Sequence, residues 1–269
     1  MKFYQVSSFT DHGFGGNPAG VCMLQGKWPA DELLQNIAMQ INLSETAFVL
    51  DKDGELFIKW FTPTVEVDLC GHATLASAHV LFGSFGVERL VFKSRLYTLP
   101  VEKQGDLIVL DFPMAKLTKL NLCDVPDCFD SSPEEVWTGH DEYMVVFDDE
   151  SYVRKAVCDL QVAKNISRSG FIITAKSNEP GIDFVSRYFA PKIGIDEDPV
   201  TGSAHTLLVP YWQRVMGKNR FRARQVSKRG GELFLTAEGD RVKIGGKAIT
   251  FLEGMICEYS RRECKNIAT

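Results

Sequence analysis

Six side chains of this sequence could move or hold a proton beside backbone that could also bind an anion. They are Glu45 in "NLSETAFV", Cys70 and His72 in "DLCGHAT", and Asp198, Thr201 and Ser203 in "DEDPVTGSAH". In the last two stretches a glycine, Gly71 or Gly202, opens an apolar run that reads as a helix, with Ala73 just inside the first. A helix start presents unpaired N–H groups and a partial positive charge, so it is a natural seat for an anion. If the two helices begin face to face, their positive ends flank one cleft, and a substrate carboxylate is the expected anion. The acids Asp196, Glu197 and Asp198 are then expected on the outward side of their loop.

Each side chain also has a plainer reading. Glu45, between a helical and a strand-like segment, is either a solvated or capping glutamate or a carboxylate facing a cleft. As a carbon acid's base it would need a desolvated site that lifts its pKa to roughly 6–7. His72 is either a satisfied core or capping group or an acid/base group. Asp198 could simply start a turn before Pro199, Ser203 could be an ordinary N-cap, and Cys70 could merely pack.

The elements that must position these groups form a duplicated pattern. "DELLQNIAMQI" places Leu33, Leu34, Ile37, Ala38 and Ile41 at helical spacing, and a strand, "TAFVL", follows. "DLQVAKNI" and then "GFIIT" repeat that order. Next come turns, "DKDG" and "SNEPG", and strands ending in "WFTP" and "YFAP"; Phe61 and Phe189 stand 128 positions apart, as do Pro63 and Pro191. Each proline precedes an acidic loop and a glycine-led helix. Such ordered self-similarity is the mark of internal duplication. Around it, 87–113 reads as successive strands, 229–259 as four short strands, and 116–128 as the link between halves.

The chain of 269 residues, 45% hydrophobic and of net charge −5, can bury a large core and carries no basic block, so nucleic acid and anionic membranes are not expected partners. No run is long and apolar enough to span a bilayer, and the start has no leader pattern. Seven scattered cysteines suit a reduced, cytoplasmic protein. Cys123 and Cys128, with Asp124 and Asp127, lack metal-ligand spacing, so no metal is expected. The "HGFGGNPAG" stretch lacks the G-x-G-x-x-G spacing and is followed by a strand, so it reads as a hairpin turn rather than a phosphate loop.

The stretches "FGGNPAGV", "LSETAFV", "WFTPTVEVDLCGHATLASA", "DPVTGSAH" and "VSKRGGEL", in this order and spacing, resemble the PhzF-like phenazine-biosynthesis isomerase family, within the diaminopimelate-epimerase-like fold. That resemblance implies an α+β fold of two pseudo-duplicated domains, each an antiparallel barrel-like sheet around a central helix. The division expected is 1–117 and 118–255, with the tail 256–269 packing on the first domain. It also implies a cofactor-independent isomerase, a homodimer, and a small carboxylate substrate in the cleft. Glu45 would then be the proton shuttle. His72, Asp198 and Ser203 would act around it, and Asn17, Gly71, Ala73, Thr201 and Gly202 would contact the substrate. Cys70, Ser227, Arg229 and Gly230 are further candidates. In the related epimerases a thiol stands at both places that Cys70 and Thr201 fill here, and a hydroxyl cannot replace a thiolate as base. An epimerase or dehydratase using Cys70, and a non-catalytic binding module, are the alternatives.

Overall fold

A computed structural model of the chain describes residues 1–257. The first half runs β1 (Lys2–Ser8), β2 (Asn17–Gln25), α1 (Asp31–Ile41), β3 (Glu45–Lys52), β4 (Glu55–Phe61), β5 (Glu66–Val67), α2 (Gly71–Phe85), β6 (Arg89–Lys93), β7 (Thr98–Gln104) and β8 (Leu107–Pro113). The second repeats it as β9 (Thr118–Leu120), β10 (Glu135–Gly139), β11 (Glu142–Val146), the short helices α3 (Glu150–Lys155) and α4 (Leu160–Lys164), β12 (Gly170–Lys176), β13 (Phe184–Ala190), β14 (Ile195–Asp198), α5 (His205–Met216), β15 (Arg220–Gln225), β16 (Gly231–Glu238) and β17 (Arg241–Gly246). A final strand, β18 (Ala248–Met255), follows.

The pairing shows the duplication strand by strand. β2 pairs parallel to β3 across α1, as β11 pairs parallel to β12 across α3 and α4. β4 pairs parallel to β6 across α2, as β13 pairs parallel to β15 across α5. The sheets are therefore mixed rather than antiparallel, because a helical crossover returns the chain in its original direction. The hairpins β6–β7–β8 and β15–β16–β17 are antiparallel, and β8 joins β17 to link the halves.

β18 pairs with β1, not with the strands of its own half. Residues 248–255, assigned by sequence to the second half, thus complete the first half's sheet. Its counterpart is β9, which follows β8 and pairs with β10, so the expected link 116–128 contains a strand. β18 also runs unbroken through Gly254, giving three strands where four were expected from residue 229 onward. Ile256 exchanges backbone bonds with Met1, and the remainder of the expected packed tail, 258–269, lies outside the described residues.

The long helices are central because their composition lets strands surround them. In α2, Ala73, Ala76, Ser77 and Ala78 are all buried, small enough for strands to close in on several sides, and Gly86 ends it at φ 64°. In α5, Pro210 has no N–H for the carbonyl of Thr206, which accepts instead from Ala115 N at 3.1 Å. This bond ties the inter-half link to the helix. No helix among the described residues is long and apolar enough to cross a membrane.

Candidate active site between the halves

Glu45 is the first residue of β3, and His72 is the second of α2. The fold brings Glu45 Oε2 to 3.3 Å from His72 Nε2, with the side chains 13% and 7% exposed. The contact is too poorly aligned for a hydrogen bond, so buried Oε2 is left without a partner. On its other side His72 Nδ1 lies 3.5 Å from Cys70 Sγ, and Ser44 Oγ is 3.5 Å from Nε2. The imidazole thus stands between a thiol and a carboxyl.

Burial raises the Glu45 pKa above the ordinary carboxylate range, opposed by a bond from Ser44. Burial lowers that of His72, opposed by the charge of Asp198. Both groups are pushed toward neutrality, so the 3.3 Å contact is not a fixed ion pair. Burial also raises the Cys70 thiol well above its usual value; Glu45 adds to this, while the N–H groups of Ala73 and His72 oppose it.

The second half supplies the opposite wall. Asp198 Oδ1 accepts from Asn17 Nδ2 at 2.8 Å, across the junction, and its Oδ2 accepts from the Thr201 hydroxyl. Burial raises Asp198 to about 6 against the opposing charge of His72. The expectation of three outward acids fails here. Asp196 is exposed and Glu197 pairs with Arg187, but Asp198, set opposite Tyr188 across a register shift in the β13–β14 pairing, is buried. Asn17, fully buried, also donates to Val200 O at 2.9 Å, which binds the two walls together.

No side chain caps α2 or α5. Ser203 is exposed and is not the N-cap, because α5 proper begins one residue beyond Ala204; its carbonyl accepts from Thr206 N and Oγ1 at 2.9 and 2.7 Å. Gly71 and Gly202 do not have positive φ, and an added Cβ would make ordinary contacts, with Phe112 at 3.6 Å and Leu110 at 3.9 Å for Gly71 and with Phe9 at 3.4 Å for Gly202. Their use is to leave the helix starts uncovered, not to make a special turn. His205 Nδ1 lies 2.9 Å from Thr201 O, mirroring the bond from Thr74 Oγ1 to Cys70 O at 2.6 Å. Both anchor a helix to its loop, and burial holds His205 neutral, down to about 4.

Ser227, Arg229 and Gly230 form a strap. Arg229 donates to Gly15 O and Gly16 O, each at 2.8 Å, and Gly16 N donates to Gly230 O at 2.7 Å. Ser227 Oγ donates to Pro199 O at 2.7 Å. The strap holds the loops before Asn17 and around Asp198, with Nε and Nη2 of the guanidinium on carbonyls.

The sequence reading missed Gln225. Fully buried, it accepts from Thr201 N at 2.8 Å and donates to Asp198 O at 2.9 Å and Thr201 Oγ1 at 3.2 Å. Its signal was the alternation Phe221, Ala223, Gln225, an amide at an inward strand position.

Comparison with known proteins bears on the family and the fold. An uncharacterized isomerase of Pseudomonas aeruginosa is 45% identical over 260 residues, covering 95% of this chain and 98% of the relative. A PhzF-family phenazine biosynthesis protein of Enterococcus faecalis superposes with a TM-score of 0.89 at 40% identity, over 94% of this chain and 97% of the other. A hydroxyproline epimerase of Agrobacterium vitis shares the fold at TM-score 0.61 and 12% identity, over 95% and 90% of the two chains. The family model for phenazine biosynthesis-like proteins matches residues 6–254, so both duplicated halves belong to one continuous match, and the chain is a member of the PhzC-PhzF family.

Proposed function

We propose that the protein is a cofactor-independent isomerase that moves a proton between carbons of a small carboxylate, with Glu45 as general acid and base. The observation that carries this reading is the buried Glu45 oxygen without a hydrogen-bond partner, beside a histidine held near neutrality. A carboxyl in that state can take a proton from carbon and return it. Neutral His72 and Asp198 polarise the substrate on either side, and Ser203 contacts it at the α5 entrance. The uncovered helix starts at Gly71, Ala73 and Gly202, with Asn17 and Thr201, hold its carboxylate. The reading includes a homodimer, two domains closing on the cleft, and a cytoplasmic location, with light scattering as the check on the dimer.

The experiment is solvent exchange. Wild type in heavy water, with trans-2,3-dihydro-3-hydroxyanthranilate, L-proline, trans-4-hydroxy-L-proline and L-serine, is expected to place deuterium on carbon of at least one. Glu45→Gln is expected to bind that compound and not exchange it. Exchange by Glu45→Gln removes Glu45 from the mechanism, and binding without exchange by wild type favours a non-catalytic module. An epimerase using Cys70 is the second reading, favoured by the 3.5 Å approach of Cys70 to His72. It is opposed by the burial that keeps the thiol protonated and by Thr201 at the duplicate position.

A further inference from the structure

A second carboxyl stands at the mouth of the other barrel. In the register of the duplicated sheets, Phe61 pairs with Thr46 as Phe189 pairs with Phe171, so Glu45 corresponds to Gly170. Glu45 is paired with Ala19 and Gly170 with Glu142. The row holding Glu45 in the first half therefore holds Glu142 in the second, moved one strand over. Glu142 shares a face of β11 with Met144 and Val146, whose side chains pack in the core around α5. The turn before it abuts the start of that helix: His140 Nε2 is 3.3 Å from Thr206 Oγ1, and a Cβ on Gly139 would meet Leu207 at 3.1 Å.

Glu142 Oε2 is buried and has no hydrogen-bond partner among the described residues. Leaving a buried carboxyl oxygen this way is costly, so a natural explanation is a partner that arrives with the ligand. Three charged or titratable groups face it: Asp141 from its own turn, Arg168 from the loop before β12, and Tyr188 from β13, which also senses Asp198. Burial and the charge of Asp141 raise Glu142 to about 7, and Arg168 opposes this least among the contributions.

We propose that Glu142, in its protonated form, donates a hydrogen bond to the substrate's carboxylate at the start of α5, completing the anion clamp on the second half's wall. This inference rests on the proposed isomerase reading. Negative charge grows on the substrate's carboxylate as Glu45 takes the carbon-bound proton, and a neutral acid beside it stabilises that charge. The bond forms and breaks without net transfer, so Glu142 keeps its proton through the cycle. Binding then requires protonated Glu142 and weakens as it ionises.

The test is kcat and KM for the exchanging compound of the panel between pH 5.5 and 9, for wild type, Glu142→Gln and Glu142→Ala. Wild-type KM is expected to be level below about pH 7 and to rise about tenfold per unit above it. Glutamine donates at every pH, so Glu142→Gln is expected to raise KM about threefold at pH 6 and then hold it level to pH 9. Glu142→Ala is expected to raise it about tenfold or more at pH 6. Should Glu142→Ala fail to fold, the Glu142→Gln profile decides alone. A Glu142→Gln profile that still rises above pH 7, or one as weak at pH 6 as the alanine variant, overturns the proposal while leaving Glu45 in place. Wild type without exchange overturns both readings, and exchange by Glu45→Gln overturns the role of Glu45 alone.

Discussion

Glu45 Oε2 and His72 Nε2 stand 3.3 Å apart, and the same burial drives their pKa values toward each other, the carboxyl upward and the imidazole downward. A pair so tuned can pass a proton without a large penalty in either direction. Burial disfavours the carboxylate–imidazolium form in which the base would be spent.

The acid limb of kcat/KM follows from this. Glu45 must be ionised to accept a proton, so activity is expected to fall on acidification with a midpoint above 4.5, the ordinary value. Asp198, raised to about 6 by burial and in part by the charge of Glu45, couples to it, and the limb belongs to both carboxyls. A pH–rate profile still level at pH 4.5 would show that the base is not buried as described.

Asp198 makes stability itself depend on pH. Its folded value, about 6, lies above its ordinary 3.8, so the fold favours the protonated form. The contribution is complete below about pH 4 and is lost as pH rises through 6. Asp198→Asn has no such loss. Its stability relative to wild type is expected to improve by roughly 2–3 kcal/mol between pH 4 and 8 in denaturant melts. A difference that does not move with pH would mean that Asp198 is ionised throughout.

Gln225 tests how far the walls depend on a residue outside the motifs. Gln225→Ala leaves Thr201 N–H and Asp198 C=O without their side-chain partner, and is expected to destabilise the protein by about 1–3 kcal/mol and lower kcat. Melting and kinetics measured together check this, and wild-type values for both would make the amide dispensable.

That residue also marks where the sequence stopped being legible. Helix α1 followed from its periodic buried stripe and α2 from an apolar run opened by Gly71, and the strands beside them from their flanking turn residues. The pairing of β18 with β1 did not, since strand partners far apart in sequence leave no local trace. Glu45 and His72 stood out only because a resemblance drew attention to them; nothing in "LSETAFV" says which way the carboxylate points. Asp198 was misplaced because an acidic run looks solvated, and the irregular β13–β14 pairing that buries its last member against Tyr188 leaves no trace in the local sequence.

Arg229 straps two loops through Nε and Nη2, which gives it a distinct signature. Lysine cannot reach Gly15 O and Gly16 O together with a fork, so Arg229→Lys is expected to loosen the loop before Asn17. Hydrogen exchange at Gly16 N–H, bonded to Gly230 O, is expected to quicken about tenfold. Unchanged protection there would assign the guanidinium no structural load.

Cys70 decides between a thiol and a carboxyl as the working base. The thiolate is the reactive form, and burial with the nearby charge of Glu45 holds this sulfur protonated well beyond neutral pH. Iodoacetamide at pH 7 is therefore expected to label exposed Cys123 and Cys257 first and to leave solvent exchange intact. Cys70→Ala is expected to retain exchange within about tenfold of wild type, against a loss of about 10²–10⁴ for Glu45→Gln. The contrast is informative because both side chains touch the same imidazole, Cys70 at Nδ1 and Glu45 at Nε2. A base that works through His72 from the thiol side would make the two variants equally dead. Inactivation by alkylation of Cys70, prevented by substrate, would move the chemistry to the thiol. It would leave Glu45 as the group that sets that thiol's charge.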